Sequence, residues 1–220
     1  MTRKERAKRV LIVDDHSIIR DGLEKIIAYE TNMEVCGKTG GVSKAHELIE
    51  QTDPDIAIID LTLENGSGLE LIKQIRALGR TVKILVSSAH DDALFAERAM
   101  SAGAQGYINK SEEIETLLEA IQCVLEGKVY LADWMKDRLL VAGVKQTKSP
   151  TCEAVENLTD RELEVLELIG AGVSTHQIAD RLNLSVKTIE TYRAHLKEKL
   201  HLESASELVR YAVEWALEKK

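Results

Sequence analysis

Three carboxylates, two hydroxyls and an amine follow short apolar runs in the first half of this 220-residue sequence. Asp14 and Asp15 come after Val10 to Val13, Asp60 after Asp55 to Ile59, Ser87 and Ser88 after Val82 to Val86, and Lys110 after Gly106 to Ile108. Carboxylate oxygens suit a hard cation such as Mg²⁺, with Mn²⁺ as the alternative, and an ammonium suits the anionic oxygens of a phosphoryl group. Taken singly, an Asp after a strand is most often a helix cap or a solvated turn. Recurrence at successive run ends argues for one shared site.

The same runs, together with Glu34 to Cys36, have the length of buried parallel strands. Between them lie amphipathic stretches such as Ile18, Ile19, Gly22, Leu23, Ile26 and Ile27, which put one apolar face against a sheet. The fifth helix is expected from about Glu112 to Glu126. Strand followed by helix, repeated along the chain, predicts an α/β doubly wound (βα)5 parallel sheet. Such sheets bind ligands outside the carboxyl ends of their strands, where these residues would gather.

After Gly127 the pattern changes. Tyr130 to Val141 reads as a possible helix, and Gly143 to Pro150 as a linker without apolar periodicity. From Leu158 only helices are signalled: Thr159 with Glu162, Ser174 with Gln177 and Ser204 with Glu207 fit capping boxes, and Ser185 is a good N-cap. The expected organisation is residues 1–127 as the α/β domain, 128–154 as a linker with a possible helix, and 155–220 as a small all-α four-helix domain.

Length beyond the ~100–150 residues of a usual single domain agrees with two cores. With 44% apolar and 30% charged residues, the chain is neither collagenous nor largely disordered. No apolar run approaches the ~20 residues of a membrane span, and the run after the basic Met1 to Arg9 is too short for a signal peptide. A cytoplasmic protein with no membrane partner is expected. Cys36, Cys123 and Cys152 are odd in number and form no CxxC pair, which argues against both a disulfide framework and a zinc site.

Charge is informative by segment. Residues 1–127 carry 15 Lys and Arg against 22 Asp and Glu, and residues 155–220 carry 9 against 12. The second domain is thus slightly acidic, which counts against nucleic acid until distribution is considered. From Ser185 to Leu200, Lys187, Arg193, Lys197 and Lys199 outnumber Glu190 and Glu198, with His195 in addition.

Ile12-Val13-Asp14-Asp15-His16, Asp60 through Gly68 to Leu69-Glu70, and Gly103-Ala104-x-Gly106-Tyr107-x-x-Lys110 resemble the receiver domain of two-component response regulators, over residues 9–126. The resemblance implies that Asp60 is the phosphoacceptor, that Asp14, Asp15, Asp60 and the Thr62 carbonyl hold Mg²⁺, and that Lys110 binds the phosphoryl group. Ser88 takes the hydroxyl switch position and Tyr107 the switch aromatic, although a core role for Tyr107 is equally open. The implied chemistry is attack of a carboxylate on a phosphohistidine, the partner being a sensor histidine kinase or phosphotransfer protein. The chain would accept a phosphoryl group without being a turnover enzyme. Two positions depart from the family: Leu63-Glu64 replaces Met-Pro, and Ser111 replaces the proline after the lysine, where a cis bond would cost ~3 kcal/mol without proline.

Leu158-Thr159-Asp160-Arg161-Glu162-Leu163 with Gly172-x-Ser174, Ile178-Ala179-x-x-Leu182 and Ser185-x-x-Thr188-Ile189 resembles the LuxR-type helix-turn-helix of the NarL/FixJ group, over roughly 157–217. Its second motif helix, Val186 to Leu200, would enter the major groove of double-stranded DNA. Ile189, Leu196 and Leu200 should be core. Glu190, Thr191 and Ala194 map to base-reading positions, and Ser185, Lys187, Thr188, Arg193 and Lys197 to the backbone-contacting side, with Tyr192 where many relatives have His. A charged helix face is otherwise most often just solvated. The last helix carries Leu208, Tyr211, Ala212 and Trp215 on one stripe, which either mediates a homodimer of the phosphorylated form or closes the core.

The leading reading is a regulator whose DNA binding and transcription are controlled by phosphorylation at Asp60. An aspartyl-phosphate phosphatase resembling haloacid dehalogenases is disfavoured, because Asp60 is followed by Leu61 and Thr62 rather than by a second Asp two residues on. A phosphorylation-independent DNA-binding or protein-interaction regulator with a vestigial acidic site remains the alternative.

Overall fold

The computed structural model describes residues 6–64, 66–89, 93–132, 135, 155 and 157–218. The chain divides into two compact units, residues 1–141 and 142–220.

In the first unit a five-stranded sheet has the order β2-β1-β3-β6-β7: Met33–Thr39, Lys8–Val13, Ile56–Ile59, Lys83–Ser88 and Gly106–Asn109. All four pairings are parallel. Strand β3 is buried along its whole length, as a strand covered on both faces must be. One face packs Val10, Ile12, Ile56 and Ile58 against Leu23 and Ile27 of α1 (Ser17–Ala28) and Ala120, Ile121 and Val124 of α5 (Ile114–Leu125). The other is covered by α2 (Val42–Thr52), α3 (Gly68–Ala77) and α4 (Ala93–Ala102).

Strands β2 and β6 run beyond the expected bounds, so Ser87 and Ser88 lie inside β6. Helix α5 begins two residues after the expected Glu112, behind an extended Glu113. A two-residue antiparallel pair, β4 (Thr62–Leu63) with β5 (Gly66–Ser67), had no signal in the sequence, being too short for any period. Tyr130 is not the start of a helix. It is extended and bridges Gly106, its amide donating to the Gln105 carbonyl and its carbonyl accepting from the Tyr107 amide, both at 3.0 Å. Most of the expected 130–141 helix and the whole 143–150 linker lie outside the described residues.

The second unit contains α6 (Asp160–Gly170), α7 (Thr175–Arg181), α8 (Val186–Lys199) and α9 (Ala205–Glu218). Its helix starts are those written in the sequence. Thr159 with Glu162 and Ser174 with Gln177 form reciprocal capping boxes, Ser204 with Glu207 makes the same exchange, and Ser185 Oγ accepts from the Thr188 amide. The α7–α8 turn passes through Asn183 at φ 52°, a left-handed value that Asn tolerates. Leu163, Leu166, Ile178, Leu182, Ile189, Leu196, Leu208, Ala212 and Trp215 form its buried core.

The stripe of Leu208, Ala212 and Trp215 therefore closes the core, where Gly170 lets α6 approach α9. A different apolar stripe, Val209, Val213 and Leu217, is the exposed one.

Candidate functional site

The strand order reverses between β1 and β3, opening a crevice beyond their carboxyl ends. Val13 pairs with Ile59, so the next residues, Asp14 and Asp60, emerge side by side. Both are buried, at 3% and 4% exposure, and both touch one amine. Lys110 Nζ lies 2.6 Å from Asp60 Oδ2 and 2.7 Å from Asp14 Oδ2. Ser88 pairs with Asn109, and its carbonyl accepts from the Lys110 amide at 2.8 Å, which ties the lysine to the end of β6.

Burial pushes the Asp60 carboxyl up to about 6, with Lys110 opposing and Asp14 adding to the rise. Burial also raises Asp15, against the pull of His16, while the neighbouring Asp14 adds to the rise. For Lys110 burial works against the charge, but Asp60 and Asp14 outweigh it and hold the ammonium above its ordinary value.

Ligand atoms of Asp14, Asp15, His16 and Asp60 all lie within 4.8 Å of one another. Three carboxylates converging in this way fit a divalent cation. Thr62 lies two residues beyond Asp60, paired with Ser67 in the β4–β5 ribbon. Ser88 and Tyr107 are fully buried, so the aromatic belongs to the core of the first unit.

Three residues near the site were not singled out in the sequence. The His16 amide donates to Asp14 Oδ1 at 2.8 Å, and its Nδ1 lies 2.6 Å from Asp15 Oδ1. Arg20, a turn further along α1, donates to the Asp14 carbonyl. Gly68 brings the start of α3 against Asp60, its amide donating to the Leu61 carbonyl at 2.7 Å. His16 and Gly68 stand in the motifs that carry the receiver resemblance without a role of their own, and Arg20 left no sequence signal.

Both departures from the family pattern have structural answers. Leu63 is fully buried, while the Glu64 carboxylate packs over Gly40 and is not among the four convergent groups. The bond from Lys110 to Ser111 is trans, and the turn is held by Asn109 Oδ1, which accepts from the Ser111 amide at 2.8 Å and its hydroxyl at 2.7 Å.

In the second unit Ile189, Leu196 and Leu200 face inward, as expected. Ser185, Lys187, Glu190, Thr191 and Ala194 are exposed, and Thr188, Tyr192, Arg193 and Lys197 are half-buried. Lys187, Arg193 and Lys197 have no ion-pair partner among the described residues, whereas Lys199 is held by Glu162 at 2.6 Å. Along this helix Lys187, Arg193 and Lys197 thus keep their charges out of ion pairs among the described residues, with Glu190 exposed beside them.

A doubly wound domain that gathers carboxylates and a lysine at its switch point, in one chain with a helix-turn-helix fold, defines a regulator with a phosphoacceptor input and a DNA-binding output. Residues 10–122 match the family described as the response regulator receiver domain, and residues 156–212 match the bacterial regulatory proteins of the luxR family. The chain belongs to the two-component response regulators with a LuxR-type DNA-binding domain.

The oxygen regulatory protein NreC of Staphylococcus carnosus is 34% identical over 209 residues, covering 93% of this chain and 96% of the relative. A LuxR-family two-component response regulator from Aurantimonas is 31% identical with TM-score 0.59, over 63% of this chain and 99% of that one. A structure of two RcsB dimers bound to two parallel DNAs is 25% identical with TM-score 0.58, over 93% and 97%. No helix among the described residues is long and apolar enough to cross a membrane.

Proposed function

We propose that Asp60 accepts a phosphoryl group from a sensor histidine kinase or phosphotransfer protein, and that this event controls sequence-specific DNA binding by α8. The observation that carries the reading is the bridge from Lys110 Nζ to Asp60 Oδ2 and Asp14 Oδ2 within the convergent acidic cluster. An Asp60 carboxylate oxygen attacks the phosphorus of the phosphoimidazole. The P–N bond breaks, and the imidazole nitrogen takes up a proton as it leaves.

Lys110 moves its charge from the carboxylates to the incoming phosphoryl oxygens. Asp14, Asp15 and Asp60, with the Thr62 carbonyl, would hold Mg²⁺ or Mn²⁺, which supplies neutralisation of the dianion when bound. Ser88 and Tyr107 are the switch pair. Their full burial makes them responsive to any shift at the end of β6 or β7. The chain is a stoichiometric acceptor rather than a turnover enzyme, and it acts in the cytoplasm.

At the output, Glu190, Thr191 and Ala194 read bases, while Ser185, Lys187, Thr188, Tyr192, Arg193 and Lys197 contact the DNA backbone. The exposed stripe Val209, Val213 and Leu217 on α9 supports pairing of two copies on DNA. Labelling by acetyl phosphate tests the input directly. It should require Mg²⁺ and vanish in Asp60→Asn, and labelling that persists in that variant would place the acceptor elsewhere.

A further inference from the structure

Arg20 and Glu64 have no part in the phosphoryl chemistry above, yet both stand against Gly40, in the turn between β2 and α2. A Cβ on Gly40 would lie 2.7 Å from Glu64 Oε1 and 3.1 Å from Arg20 Nη1. A guanidinium and a carboxylate thus crowd the same buried glycine. No ion pair joins the two, and what they share is the Gly40 backbone.

Each is also tied to a loop that carries an acid of the site. Arg20 donates to the Asp14 carbonyl, and the Asp14 amide donates to the Thr39 carbonyl at 3.0 Å, so the Asp14 backbone is gripped from α1 and from the end of β2. The Glu64 amide donates to the Gly40 carbonyl at 2.9 Å, and Glu64 bridges Gly41, which fastens the ribbon following Asp60 to the same turn. The proline that receivers usually carry at this position has no amide hydrogen and could not make that bond. Asp14 and Asp60 are both held by Lys110 Nζ, so their spacing depends on how the two loops sit.

We propose that Arg20 and Glu64 are positioning residues of the phosphoacceptor site: braced against Gly40, they fix the loop bearing Asp14 to the loop leaving Asp60, and so hold the Asp60 carboxylate in line for attack. This role rests on the reading of Asp60 as the phosphoacceptor. Neither side chain supplies a reacting atom. A shift of about 1 Å in a reacting group can cost about 100-fold in rate, so a brace that acts through the backbone bears on the chemical step more than on the capture of the donor.

Single-turnover labelling of the full chain by acetyl phosphate at saturating Mg²⁺ measures that step. Arg20→Gln and Glu64→Pro should each lower the maximal rate about 10- to 100-fold, while the half-saturating donor concentration stays within about two-fold. Arg20→Lys, which keeps a cationic donor, should recover most of the rate. Gly40→Ala alters neither residue, and the nearest atoms it meets are the ends of their flexible side chains, so it should fold normally and slow labelling in the same manner. In the double variant of Arg20→Gln with Glu64→Pro the losses should overlap rather than multiply, because one brace can be broken only once. Losses that multiply, or an unchanged rate in Gly40→Ala, overturn the brace. Labelling that persists in Asp60→Asn refutes instead the reading beneath it.

Discussion

At Gly68 the chain has no room for a side chain. A Cβ there would lie 1.9 Å from the Asp60 carbonyl oxygen and 2.9 Å from the Leu61 Cα. The obstruction is backbone and cannot swing aside. Gly68→Ala should therefore cost about 1–3 kcal/mol in urea unfolding and slow labelling of Asp60, because relief of the clash moves the residue that carries the carboxylate. Wild-type values for both measurements would show that the start of α3 is freer than the contacts imply. The spacing from Asp60 to Gly68 was visible in the sequence, but its cause was not, because period and propensity do not report an approach between residues eight apart. Arg20 was hidden for a similar reason: it reaches the Asp14 carbonyl only once the first turn of α1 has formed. The carboxylates and Lys110 were legible because each follows an apolar run, and a parallel sheet gathers such positions at one edge.

Among the elements, α6 and α8 are joined by Glu162. It is buried, closes the cap of α6 through Thr159, and accepts from Lys199 at 2.6 Å. Burial raises its carboxyl, but Lys199 and Thr159 outweigh that and hold it below the ordinary 4.5. A depressed carboxyl stabilises the fold above its unfolded value and loses that contribution as pH falls through the folded one. Thermal melts of the full chain should thus show the LuxR-type unit weakening on acidification below about 4.5. Glu162→Gln should be less stable at neutral pH and flatter across that window, and parallel curves for the two proteins would refute the linkage.

Helix α8 invites a contrast of its own. Lys197→Ala should weaken binding to every DNA sequence and reduce the salt slope by about one unit, whereas Glu190→Ala or Thr191→Ala should change the preferred base pair by ~1–3 kcal/mol. Anisotropy titrations at several salt concentrations distinguish these outcomes. Helix starts were readable because capping is local chemistry. The role of the Leu208, Tyr211, Ala212 and Trp215 stripe of α9 was open between a dimer face and the core, since helical spacing is the same for either. What decided it was packing: a Cβ on Gly170 would come within 2.5 Å of the Ala212 carbonyl oxygen, an approach only two packed helices produce.

For the molecule as a whole, the two units set the test of coupling. DNA affinity of the full chain should rise on treatment with acetyl phosphate and Mg²⁺, and Asp60→Asn should abolish the rise. A fragment of residues 142–220 should bind DNA without responding to the phosphodonor. If the full chain binds equally well with and without Asp60, the acidic site does not govern the output.

Strand β7 lies at one end of the sheet order, and its outer side is occupied by the segment around Tyr130, which exchanges backbone hydrogen bonds with Gln105 and Tyr107. Anyone excising the receiver as a separate piece has to reckon with this. A cut after Gly127, just past the end of α5, would strip off that segment and bare the Gln105 carbonyl and the Tyr107 amide at the edge of β7. Unprotected strand edges recruit one another, so the shortened piece should clump in storage, whereas one carried through Leu131 should stay monodisperse.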